Sequence, residues 1–201
     1  GICEVSADDF LENTYDEAVF TQLRIHNYIR RPDGSTFENQ EYYAHPDHFE
    51  SAFAPFTRVA DIMINGIYWD NRAPQFFTKE EMQSPDFRIQ VIADVTCDIA
   101  PVSSIPSTLR ASTIADPVFG YEPHAGVETA PYQEGCIDMM TIDNLPNELP
   151  RDASQAFGEQ FIEHILPEFF KKESAILERA TVARKGQLGP HFQYLAEYVG
   201  V

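Results

Sequence analysis

Ile89-Gln90-Val91-Ile92-Ala93-Asp94-Val95-Thr96-Cys97-Asp98 is an apolar, β-branched run that breaks into polar residues at its end. Cys136-Ile137-Asp138-Met139-Met140-Thr141-Ile142-Asp143-Asn144-Leu145-Pro146 repeats the pattern. Runs of this kind fill buried strands of parallel sheets. In open α/β sheets, ligands sit beyond the carboxyl ends of the strands. If these two runs are neighbouring parallel strands, Asp98 and the pair Asp143-Asn144 face one crevice.

Working outward, strand-like and helix-like segments alternate. Gly1-Ile2-Cys3-Glu4-Val5 reads as a short strand, and Ser6 as the N-cap of a first turn carrying Asp8 and Asp9. Residues 17–23 fit helix or strand. Residues 26–56 are polar, aromatic and turn-rich, with a strong turn at Arg31-Pro32-Asp33-Gly34, and read as an irregular excursion. Residues 58–66 form another strand, followed by Ile67-Tyr68-Trp69. Thr78 caps a short helix to Met82, with Glu80 and Glu81 in its first turn. Residues 99–135 hold several Pro and Gly and read as a surface crossover. Over residues 152–170, Ala153, Ala156, Phe157, Phe161, Ile165 and Phe169 share a helical stripe expected to be core. A helix over residues 174–185 ends near Gly186, and a last short one spans 191–198. This order predicts an α/β fold: an incomplete Rossmann-like parallel sheet with flanking helices and C-terminal helices. The predicted division is a sheet domain over 1–170 and C-terminal helices over 171–201. The pyrophosphate-cradling turn G-x-G-x-x-G is absent. Gly rather than Met at position 1, with a strand already under way, reads as a piece of a longer protein.

Composition narrows the function classes. The net charge of the 201 residues is -18 and the pI about 4.5. Such a surface repels phosphate backbones and anionic lipid, so neither nucleic acid nor membrane is an expected partner. No apolar run reaches the roughly 20 residues needed to span a bilayer. Fifteen Phe and nine Tyr demand a core and argue against disorder. Three cysteines, Cys3, Cys97 and Cys136, cannot all pair within the chain. Two lie in apolar runs, which suits a reducing compartment and a cytoplasmic location.

A resemblance rests on three blocks: residues 61–69 (Asp-Ile-Met-Ile-Asn-Gly-Ile-Tyr-Trp), residues 91–98, and Thr141-Ile142-Asp143-Asn144-Leu145-Pro146 continuing through Leu149-Pro150-Arg151-Asp152-Ala153-Ser154. Together they resemble the C-terminal half of the alanine dehydrogenase and transhydrogenase α-subunit family, nearest its lysine-forming saccharopine dehydrogenase branch. The resemblance implies an oxidoreductase acting on CH–NH donors, in two domains with a cleft between them, using NAD, with NADP left open. It implies dinucleotide contacts at Tyr68 and Val95. Ile142, Asp143, Asn144 and Leu145 would meet the nicotinamide side, Thr96 the amino-acid or keto-acid substrate, and Asp98 the active cleft. It also implies a missing N-terminal substrate domain bearing a Lys and a His. Homo-oligomerisation stays open.

The chemistry is coherent, because reductive amination needs an imine held against the nicotinamide, and a carboxylate such as Asp98 stabilises a cationic iminium. Each residue also has a plain structural reading. Asp98, Asp143 and Asn144 are turn formers, Tyr68 a core aromatic, and Arg110 a surface ion-pair partner. Cys97, with no placed His, reads as an inert thiol. His45-Pro46-Asp47-His48 reads as a solvated loop with no third ligand nearby, so no metal is expected. Two alternatives remain: a non-catalytic binding or assembly module with the same fold, and an alanine dehydrogenase-type fragment differing in substrate.

Overall fold

The computed structural model describes residues 1–200. It forms two compact units, Gly1–Leu145 and Pro146–Val201. The division falls just after the last strand of the five-stranded sheet, whereas the sequence alone placed it at residue 170.

In the first unit, strand β1 (Cys3–Glu4) leads to helix α1 (Ala7–Glu12), and parallel strand β2 (Val19–Phe20) pairs with β1. Ser6 caps α1 by accepting from the Asp9 N–H, with Asp8 and Asp9 in the first turn. Residues 26–56 are no excursion. They build α2 (Ile25–Tyr28), β3 (Ile29–Arg30), α3 (Asn39–Ala44), β4 (Glu50–Ser51) and α4 (Ala54–Thr57), with β3 and β4 antiparallel. Tyr28, Ile29, Phe49, Phe53 and Phe56 are buried. The rings of Tyr28 and Phe53 each lie 5.0 Å from that of Phe76. The segment's polar average conceals these aromatics, whose large apolar area dominates its packing.

The main sheet contains β5 (Ile62–Asn65), β6 (Val91–Asp94), β7 (Phe119–Glu122), β8 (Val127–Thr129) and β9 (Ile137–Thr141), with α5 (Lys79–Met82) between β5 and β6. Spatial order is β5-β6-β9-β7-β8. The β5–β6 and β6–β9 pairs are parallel; the β7–β8 hairpin joins β9 antiparallel. The sheet is therefore mostly parallel, as the sequence predicts, and helix α5 opens on the expected Thr78–Glu81 capping box. Within the expected strand over 58–66, only the last part is extended. Arg58 ends α4 in helical geometry instead.

The expected surface crossover 99–135 enters the core. Ser103, Ser104, Ile105, Ser107 and Thr108 are buried, and Phe119 and Tyr121 of β7 are among the most buried side chains. The Phe76 N–H donates to the Ser104 carbonyl (3.0 Å) and Gln75 Nε2 to the Ser103 carbonyl (2.8 Å). These small polar residues go inside because their backbone finds partners there.

Burial alternates along the parallel strands. Met63, Asn65, Ile92, Asp94, Ile137, Met139 and Thr141 are buried. On the opposite side Ile62 and Ile64 are 63% and 76% exposed.

The second unit contains the rest of α6 (Leu145–Glu148), then α7 (Pro150–Gln160), which runs on through a π turn and a 3-10 turn to Phe170. Helix α8 (Ala175–Ala180), capped by Ser174, follows. Residues 183–188 are not the expected end of that helix. They form a hairpin, β10 (Ala183–Arg184) with β11 (Gln187–Leu188), turning at Lys185 (φ 52°) and Gly186 (φ 78°), as a primed two-residue turn requires. Helix α9 (Ala196–Val199) ends the described chain. The predicted stripe is not a core: none of its members is buried, and Phe157 is 72% and Phe169 60% exposed. A unit this small encloses little apolar surface.

Candidate functional site

Parallel pairing of β5, β6 and β9 sets Asn65, Asp94 and Thr141 side by side in register. All three are buried at the carboxyl ends of their strands. The segments leaving those ends are Gly66-Ile67-Tyr68, the turn 95–98, and Ile142-Asp143-Asn144. The expectation that Asp98 and Asp143-Asn144 follow adjacent parallel strands thus matches the observed topology.

Asp94 organises the row from below. Its Oδ1 accepts from Asn65 Nδ2 (2.9 Å) and from the Cys97 N–H (3.2 Å), and its Oδ2 from the Thr108 hydroxyl (2.6 Å). Asn65 Nδ2 also donates to the Ser104 hydroxyl (3.0 Å), and Asn65 Oδ1 is a buried acceptor with no partner among the described residues. The Asn65 carbonyl takes the N–H groups of Val95 (2.7 Å) and Thr96 (3.3 Å), and the Thr96 hydroxyl donates to the Ile67 carbonyl (2.8 Å). Beside them, Thr141 donates its hydroxyl to the Arg110 carbonyl (2.5 Å) and its N–H to Ser112 Oγ (3.0 Å). Three strand ends and the 103–112 loop are locked into one polar network. Sequence reasoning missed Asp94, Asn65 and Thr108. The available signal was a carboxylate and an amide at the core-facing, period-2 positions of apolar strands.

The turn 95–98 carries strain and negative charge. Cys97 sits at φ 53°, a region non-glycine residues visit sparingly. Burial, then Asp94, Asp143 and Asp98, pushes its thiol up to about 11. The thiol stays protonated at neutral pH and is no nucleophile. Burial, then Asp94, also raises the Asp98 carboxyl above the usual range. Three carboxylates therefore converge on one turn.

The other predicted positions lie at the same strand ends. Tyr68 is 97% exposed rather than a core aromatic. Val95 and Thr96 are half-buried in the turn, Ile142 is half-buried, and Asp143, Asn144 and Leu145 are exposed. Arg110 is engaged elsewhere: it forks onto Glu128 (3.0 Å) and Asp116 (2.7 Å) and stacks 4.6 Å over Phe119, beside an open cavity of about 420 Å³. His45 and His48 stack at 4.9 Å, and Asp47 supplies a third potential ligand, all ligand atoms lying within 4.8 Å of one another. The local turn thus brings together three groups that the sequence reading left as two.

No known family profile matches the chain. It is 28% identical over 176 residues to the alpha-aminoadipic semialdehyde synthase of Arabidopsis thaliana, covering 80% of this chain and 16% of that protein. It is 26% identical over 222 aligned residues to the mitochondrial alpha-aminoadipic semialdehyde synthase of Mus musculus, covering 96% of this chain and 23% of that protein. To the saccharopine dehydrogenase [NAD(+), L-lysine-forming] of Schizosaccharomyces pombe it is 35% identical over 115 residues, covering 56% of this chain and 29% of that protein. The chain therefore spans less than a third of the length of these relatives. They support a saccharopine dehydrogenase-like relationship and give no support to the wider alanine dehydrogenase and transhydrogenase grouping.

Proposed function

We propose that this chain forms the nicotinamide-side wall of an NAD-dependent oxidoreductase of the saccharopine type. The reaction is reductive amination of 2-oxoglutarate by lysine, or its reverse, oxidative cleavage of saccharopine. One observation carries the reading: β6 and β9 are parallel neighbours, so the turn 95–98 and Ile142-Asp143-Asn144 leave the sheet from the same end, where ligands of open α/β sheets bind. Similarity to proteins named for this chemistry supports it.

The strand ends suit the nicotinamide half of the dinucleotide. Tyr68 offers an exposed ring, and Val95 an apolar contact. Ile142, Asp143, Asn144 and Leu145 supply apolar surface, a carboxylate and an amide for the ribose and carboxamide. The pyrophosphate half does not fit this chain, which has no G-x-G-x-x-G turn. NAD, when bound, supplies the hydride acceptor. Thr96 contacts the amino-acid substrate. Asp98, with its raised affinity for a proton, hydrogen-bonds the substrate amine and, ionised, stabilises a cationic iminium. A domain carrying the remaining acid–base groups completes the cleft.

The test is Asp143→Ala in the complete enzyme. The KM for NAD is expected to rise about tenfold, equivalent to ~1.4 kcal/mol of lost binding. Unchanged kinetics would remove Asp143 from the site.

A further inference from the structure

Asp94 is a carboxylate with no exposed surface at the buried end of β6, a placement that costs stability unless it is hydrogen-bonded. Its three donors come from three different segments: Asn65 at the end of β5, Thr108 in the 103–108 loop, and the Cys97 N–H in the turn that follows β6. The turn 95–97 offers three successive N–H groups. Two go to the Asn65 carbonyl, and only the third, at the residue with positive φ, is held by a side chain. Without Asp94 the Cys97 N–H has no acceptor, and nothing else named in the network opposes relaxation of its left-handed backbone.

We infer that Asp94 is the positioning residue of this site, holding the turn 95–98 in the conformation that presents Thr96 and Asp98 beyond the strand ends. The inference rests on the function proposed above for what the turn presents, but the anchoring is a property of the chain alone. Asp94 itself presents no surface to a ligand. It acts through Cys97 and Thr108, and its charge joins those of Asp98 and Asp143 around the Cys97 thiol.

The variants Asp94→Asn and Asp94→Ala separate geometry from charge. Asparagine retains an oxygen for Asn65 and Cys97 and turns its amide toward the Thr108 hydroxyl, which can accept. Alanine removes every acceptor. Amide hydrogen exchange is measured residue by residue in the 201-residue chain. In Asp94→Ala, exchange at Cys97 is expected to accelerate at least about tenfold while Ile92 and Met139 keep their protection; in Asp94→Asn, Cys97 stays protected. Unchanged exchange at Cys97 in Asp94→Ala would overturn the inference. So would equal loss at Ile92 and Met139, which would make Asp94 a support of the whole fold. If Asp94→Ala does not fold, Asp94→Asn decides by exchange at the Cys97 amide, which is expected to stay slow. A fast Cys97 amide in Asp94→Asn with Ile92 and Met139 still protected would overturn the inference. Neither readout requires NAD or turnover, so the inference can fail while the proposed function stands, and the reverse.

Discussion

Asp98 shows how a carboxyl beyond a strand end can oppose stability. Its carboxyl is raised above the ordinary 3.8 by burial and then by Asp94. A carboxyl whose pKa is higher folded than unfolded favours the native state while protonated. That contribution is complete below the unfolded value and is lost as pH rises through the folded value. Asp98→Asn removes the loss. The variant should be more stable than the parent at pH 7 by denaturant unfolding, with the gap closing near pH 3. Lower stability at pH 7 would mean that the ionised carboxylate is held by favourable contacts. Cys97 makes a second residue-scale prediction. Its thiol at about 11, against an ordinary 9.0, corresponds to about 100-fold less thiolate at neutral pH. At pH 7.5, Cys97 should be alkylated about 100-fold more slowly in the folded chain than in the urea-unfolded chain; comparable rates would show the turn to be open. The placement of Asp98, Asp143 and Asn144 just past two parallel strands was legible in sequence because they interrupt apolar runs. Asp94 was not, because its three partners lie up to 29 residues away along the chain.

At the scale of elements, local signals were read faithfully and nonlocal ones were not. Ser6 and Thr78 each cap a helix as expected, since the donor and acceptor of a cap lie three residues apart. The β7–β8 hairpin escaped detection because Pro and Gly dominate its surroundings. What places it is pairing with β9, whose sequence lies beyond it. Its close packing gives a test. A Cβ on Gly120 would press into the Ala130 carbonyl oxygen and lie 2.8 Å from Thr129 Cγ2. The carbonyl belongs to the chain just past β8, so no side-chain rotation relieves the clash. Gly120→Ala should therefore destabilise the first unit by about 1–3 kcal/mol, read from the urea midpoint. A change within ~0.5 kcal/mol would mean that β8 does not pack on β7 as described. The turn itself is held by Glu122, whose carboxylate accepts the N–H groups of Ala125 and His124 and is lowered by them.

At the scale of the molecule, the sheet reads differently from its strands. A continuous apolar run predicts burial on both faces, which parallel sheets ordinarily have. The buried residues of β5 are Met63 and Asn65, while Ile62 and Ile64 stand exposed on the edge strand. Edge strands in soluble proteins usually carry charge or proline against unwanted pairing, and β5 carries neither within Ile62–Asn65. The net charge of -18 keeps copies apart at low salt but is screened within about 10 Å at 0.1 M salt. The chain should therefore bind a hydrophobic dye and scatter light increasingly as salt rises. Replacing Ile62 and Ile64 together by Thr should reduce both signals, because Thr keeps β-branching while removing apolar surface. Unfolding free energy should stay within about 0.5 kcal/mol of the parent, the usual range for surface substitutions. A loss of several kcal/mol would instead place the two isoleucines in a packed core. The open face of β5 would then belong to the same interior as Met63 and Ile92, and the one-sided description of this edge strand would fall.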